Sequence, residues 1–151
     1  MSMQTLPIRL TPGQDLRQAI EAAVVGQHGQ AVFVLSGIGS LSQAGLRFAG
    51  VDLPQRLTGD LEILSLSGSV AVEHTAGGTR CSSHLHMAVS TSTGQVIGGH
   101  VAHGCTVRTT AEILLALLPE WNFTREPDAT TGYRELVVMP AATHSTPSGG
   151  V

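Results

Sequence analysis

Seven histidines are spread along the 151-residue chain, and three of them fall within one stretch, His84-Leu85-His86-Met87-Ala88-Val89-Ser90 through Gly98-Gly99-His100. Side chains alternate along a β-strand, so His84 and His86 share one face while Leu85, Met87 and Val89 share the other. Imidazoles at i and i+2 stand about 6–7 Å apart on a pleated strand, near enough to converge on one ion at metal–nitrogen distances of about 2 Å. Three neutral imidazoles with an open fourth position form a donor set suited to zinc. Such a set can lower the pKa of bound water to about 7.

Whether His100 joins the pair depends on how the chain turns. The expected arms are His84–Thr91 and Gln95–Ala102. A three-residue Ser92-Thr93-Gly94 loop, with Gly94 left-handed, pairs Thr91 with Gln95, His86 with His100 and His84 with Ala102. A two-residue Thr93-Gly94 loop slips the register by one and sends His100 to the opposite face. Gly98 and Gly99 leave room beside the cluster and are candidates for a bulge that re-aims His100. His103 is the reserve ligand, and Cys105 follows it closely enough to be a candidate near the site. Glu62 and Glu112 are candidate bases, with a salt bridge or solvated contact as the plainer reading of Glu62. His28, His74 and His144 read as loop, strand-end and tail residues.

The remaining chemistry is sparse. Cys81 and Cys105 are the only cysteines, and without a paired CxxC spacing a four-thiolate zinc site is excluded. Both fit the pattern of small buried residues. Gly37-Ile38-Gly39-Ser40 lacks the lysine of a phosphate-binding loop and reads as a close backbone crossing. No nucleophile elbow, HExxH pattern or deaminase signature occurs. The formal charge is −3, with no lysine and eight scattered arginines. That balance does not give a monomer the basic face that nonspecific DNA binding requires.

The elements that must position these groups follow from patterning. Leu6–Leu10 reads as a strand. Thr11 as N-cap and Pro12 at the first helical position start a helix with Leu16, Ala19, Ile20, Ala23 and Val24 on one side. Gly26 stops it. Ala31–Ser36 and Ser42–Phe48 read as strands on either side of the glycine turn, and Gly50–Gly59 as a polar loop. Leu61–Glu73 is a long strand bent or bulged near Gly68, with Leu61 and Ile63 on one face and Leu64 and Leu66 on the other. Thr109–Leu118 suits a helix by composition and a buried strand by its unbroken apolar run. Pro119–Gly132 is a polar excursion, and Leu136–Met139 a last strand. Residues 1–140 are expected to form one α+β domain with a mainly antiparallel sheet and a flanking helix, and 141–151 a flexible tail. No run reaches membrane-spanning length, and the N-terminus lacks a signal-peptide pattern, so a cytoplasmic location is expected.

Taken together and in order, several segments resemble the plant and prokaryote conserved (PPC) domain family. They are Gly37-Ile38-Gly39-Ser40, LEILSLSG at Leu61–Gly68, HLH at His84–His86, GQVIGGH at Gly94–His100 and TAE at Thr110–Glu112. The resemblance runs from about Ile8 to Pro140. It implies a compact α+β fold assembled as a homotrimer, with Thr109–Leu118 mostly strand. It further implies a metal site, zinc, at His84, His86 and His100, as in bacterial and archaeal members. The family's DNA-binding description implies a DNA-associated regulatory role. The Arg-Gly-Arg-Pro type AT-hook that reads the minor groove in plant members is not found here. The alternative is a zinc-dependent enzyme or small-molecule sensor.

Overall fold

The computed structural model describes residues 3–27 and 31–142. His28 and His144, and most of the expected tail, lie outside them. The order is β1 (Gln4–Leu10), α1 (Leu16–Val25), β2 (Ala31–Arg47), β3 (Gln55–Thr75), β4 (Gly78–Thr91), β5 (Val96–Val101), β6 (Thr106–Leu117), β7 (Trp121–Pro127) and β8 (Arg134–Pro140). Six strands form an antiparallel sheet in the order β1-β6-β2-β3-β4-β5, and β7–β8 form a separate hairpin. The end of β2 also pairs with β5, through Leu46 with Val101 and Arg47 with His100. The sheet therefore curls until β2, β3, β4 and β5 make a closed ring, which covers the His100–Val101 end of the edge that β5 would otherwise expose.

The core lies inside this curl. Leu16, Ile20 and Val24 of α1 are fully buried against Leu41, Leu46, Leu66, Leu85, Val89 and Leu115. That is the helical face anticipated from i, i+4, i+8 spacing. Asp15, not Thr11, is the N-cap. Its side chain accepts from the Gln18 N–H at 3.0 Å and from the Gly104 N–H at 2.6 Å, while Thr11 and Gln14 close a turn of their own ahead of the helix. Gly26 ends the helix as expected.

Three other expectations change. Gly37–Ser40 is not a turn between two strands, because β2 runs through it for 17 residues. The glycines are there for proximity, as the alternative reading held. A Cβ on Gly39 would sit 2.2 Å from the Thr110 carbonyl oxygen, and one on Gly37 would sit 2.8 Å from Leu66. The irregularity of β3 falls between Ile63 and Ser65, whereas pairing is continuous through Gly68. That bulge switches faces: Leu64 turns out to 53% exposure, and Leu66 joins Leu61 and Ile63 in the core. Gly50–Gly59 is shorter as a loop than expected, since β3 begins at Gln55.

Beyond Leu117, half of the expected polar excursion is strand β7, which packs the buried Phe123 on Ala31 and Ala71. Thr109–Leu118 resolves as strand β6. Flanked by β1 and β2, it gains two ladders of hydrogen bonds, which outweigh the helix preference of its Leu, Ala and Glu residues.

Candidate metal centre

β4 and β5 form the expected hairpin in the three-residue register. The Thr91 N–H donates to the Gln95 carbonyl at 2.9 Å, Gly94 is left-handed at φ +80°, and His86 lies opposite His100. Pairing stops there. His84 does not face Ala102, because Ala102 donates its N–H to Gly45 as the chain leaves β4 to close on β2. Gly98 and Gly99 are regular ladder positions, not a bulge. A Cβ on Gly99 would sit 2.7 Å from the Arg47 carbonyl oxygen and 3.3 Å from the Phe48 ring, so glycine here lets β5 approach β2.

Leu85, Met87 and Val89 are buried, and His84 and His86 project to the outside with His100 half-buried between them. One nitrogen from each of the three rings lies within 4.8 Å of the others. The Nε2 atoms of His84 and His86 are 3.2 Å apart. Ring centroids are separated by 5.0 Å for His84–His86, 5.2 Å for His84–His100 and 5.7 Å for His86–His100. Two nitrogens bound at about 2 Å to one tetrahedral ion lie about 3.3 Å apart. His84 and His86 are therefore already at that spacing, with His100 within 4.8 Å of both. His100 Nδ1 is buried without a hydrogen-bond partner, although buried polar atoms are nearly always satisfied. A metal ion is one partner that would satisfy it. The residues present fit a metal ion.

The electrostatics favour the neutral form of His100 and His84, the form that ligates. Burial pushes the His100 pKa down to about 4, and the nearby His84 and Arg47 push it the same way. His84 is also lowered, by burial first and then by Arg125 and His86, against an opposing contribution from Glu135. A cavity of about 410 Å³ opens beside His84 and His100, between the main sheet and the β7–β8 hairpin, with Arg47, Arg125 and Arg134 in its wall.

The other candidates lie elsewhere. Glu62 is exposed, paired with Ser40 and Ser90, five residues along β3 from Ser67, the partner of His86. At about 3.4 Å per residue that is roughly 17 Å away. Glu112 faces Arg9 and Ile38 across the sheet, in a larger hollow of about 540 Å³ that none of the histidines lines. His103 is exposed in the β5–β6 loop. Cys105 points into the core, where its Sγ lies 3.3 Å from the Gly45 N–H and 3.4 Å from the Ala102 carbonyl oxygen. Burial raises its pKa to about 11, so it is a packed thiol. His74 is exposed and bonded to Thr79. The residues that sequence reasoning missed are Arg47, Arg125 and Arg134. No local motif marks them, because they reach the histidines from β2, β7 and β8.

The fold and site define an α+β domain whose curled antiparallel sheet carries a three-histidine cluster on a hairpin, with no described helix long and apolar enough to cross a membrane. The chain belongs to the Plants and Prokaryotes Conserved (PCC) domain family, whose model matches residues 1–119. It is 36% identical to a hypothetical protein of Salmonella enterica whose structure superposes with a TM-score of 0.83, covering 93% of this chain and 96% of that one. A metal-containing protein of Archaeoglobus fulgidus superposes at a TM-score of 0.74 with 26% identity, over 89% of this chain and 93% of that one. Among curated proteins, the bifunctional protein GlmU of a Synechococcus strain is 48% identical over 141 residues, 93% of this chain. The chain spans about a fifth of the length of that relative, 21%.

Proposed function

We propose that this protein is a PCC-domain metal-binding protein that holds a zinc ion on His84, His86 and His100, with a fourth coordination position open toward the cavity beside His84. The observation that carries this reading is the convergence of three imidazole nitrogens within 4.8 Å, one ring having a buried, unpartnered Nδ1. The metal content of the Archaeoglobus relative points the same way. All-nitrogen tetrahedral coordination suits zinc, and the open position is that of a site that acts on or senses a ligand, in contrast to a closed structural centre.

The working form is a homotrimer of residues 1–140. Its support is an exposed apolar set on the β2, β3 and β6 strands: Phe33, Leu35, Ile38, Leu64 and Leu114, each at least 37% exposed. Patches of this kind mark association surfaces. A DNA-associated regulatory role, which family membership suggests, has less behind it. The chain is acidic, and three of its eight arginines turn toward the histidine cavity and not onto a common outer face.

Metal analysis of natively purified, untagged protein, paired with its solution mass, tests the proposal. One zinc per chain, lost in His86→Ala with the fold and mass unchanged, is the expected result. Full occupancy in that variant, or protein that cannot be loaded with zinc, would refute the assignment. A labelled duplex that shows no shift at low salt would remove the DNA role.

A further inference from the structure

The wall of the cavity beside the histidines carries an excess of positive charge that the fold itself leaves uncompensated. Arg47 stands opposite His100 where β2 closes on β5. Arg125, on β7, is only 6% exposed, and its Nη2 donates to the Ser69 hydroxyl at 2.8 Å. Arg134, on β8, donates through Nη2 to the Arg125 main-chain carbonyl, which holds its guanidinium beside β7. No carboxylate of the described residues lies within 4.0 Å of any of these three guanidinium groups. Glu135 is the single acid in the cavity wall, so the wall carries a net charge of about +2 within a chain of net −3. Burying a guanidinium with a neutral hydroxyl partner is costly, and a buried charge is normally paired. Glu135 offsets part of the Arg125 charge from beyond salt-bridge distance and the serine hydroxyl carries none, so an incoming anion would complete the neutralisation.

We propose that this cavity is a binding site for a small organic oxyanion, a carboxylate or a phosphate monoester, whose acidic group is held by Arg47, Arg125 and Arg134. The volume of about 410 Å³ matches a metabolite-sized molecule and not a polymer. Arginine forks fit both acid groups bidentately. With the acid on the arginines, the rest of the ligand extends toward His84 and His100. That orientation rests on the metal reading above; recognition of the acid group stands on the arginines alone. Two of the three cations come from the β7–β8 hairpin, beyond the residues 1–119 that match the family model.

The test is calorimetric titration of inorganic phosphate and, separately, succinate into the full chain. It is run at fixed ionic strength in chloride, on chelator-treated and on zinc-loaded protein. The expected result is saturable binding of at least one anion to both forms, with the preferred probe assigning phosphate or carboxylate. Arg134→Gln, at an exposed position, and Arg47→Gln should each weaken binding about tenfold. Glu135→Gln should tighten it severalfold by removing the opposing charge, a gain that a damaged fold cannot mimic. Absence of binding by either anion, or binding that none of these three substitutions alters, overturns the proposal. Binding confined to zinc-loaded protein and indifferent to the arginines overturns it too, because the anion is then only a metal ligand. Binding to metal-free protein that the arginine variants weaken upholds it even if zinc never loads.

Discussion

His86 and His100 face one another directly across the β4–β5 ladder, their ring centroids 5.7 Å apart, at the last paired position before β5 leaves β4. The pairing is fixed by the three-residue turn that ends at Gly94, so the histidine cluster depends on backbone geometry eight residues from His86 along the chain.

Zinc should therefore stabilise the protein measurably. A ligand at one hundred times its Kd adds about 2.7 kcal/mol to folding. Chelator-treated protein should melt at lower temperature than zinc-loaded protein, and this difference should vanish in His86→Ala. Equal melting curves for both wild-type forms would count against the site.

Glycine substitutions should separate turn strain from steric exclusion. At Gly94, φ is +80° and a Cβ meets nothing within 4 Å, so Gly94→Ala should cost about 1 kcal/mol. At Gly68 a Cβ would sit 2.1 Å from the His84 carbonyl oxygen. Gly68→Ala must push β4 away at His84 and should cost several times more, with loss of metal binding. Denaturant melts of the two variants give the comparison.

His100 and His84 should take up protons only at lowered pH in the metal-free protein. His100 is held near pKa 4, below the ordinary 6.5, chiefly by burial, and His84 is lowered as well. The unfolded chain then takes up protons at a higher pH than the folded one. The stability these two groups contribute is fully present above about pH 6.5 and is lost as pH falls toward 4. Proton NMR of the ring signals against pH checks both the order and the direction, and a His100 midpoint at or above 6.5 would contradict it.

Cys105 should behave in the opposite sense. Its thiol keeps its proton to about pH 11 in the fold, against 9.0 ordinarily, because it is buried. Stability should be full below pH 9 and decline as pH rises from 9 to 11, where the unfolded chain ionises first. Thiol reagents at pH 8 should label Cys105 only after denaturation.

Asp15 should matter more than an ordinary helix cap. One carboxylate oxygen takes the Gln18 N–H and the other takes the Gly104 N–H, tying α1 to the β5–β6 loop. Asp15→Ala should cost about 2 kcal/mol or more, against about 1 for a cap alone. Asp15→Asn, which keeps one acceptor oxygen, should recover part of that loss in a thermal melt.

Local pattern in the sequence placed the histidine hairpin but left its turn, and with it the face of His100, open between two loop lengths. Alternation set His84 and His86 on the face opposite Leu85, Met87 and Val89, and a glycine at the left-handed turn position made one register compatible with His100 joining them. The helix face of Leu16, Ile20 and Val24 was equally legible, since periodicity depends only on neighbours along the chain. Tertiary structure alone decided the rest. The bulge at Leu64 exchanged the two faces of β3, β6 became strand because two neighbours offered it hydrogen bonds, and β5 closed on β2 at Arg47. Arg125 and Arg134 reach the cavity from strands that follow β5 by some 20 to 30 residues. Interactions at that separation are selected by packing and by the closure of the sheet, and composition within a short window carries no record of them.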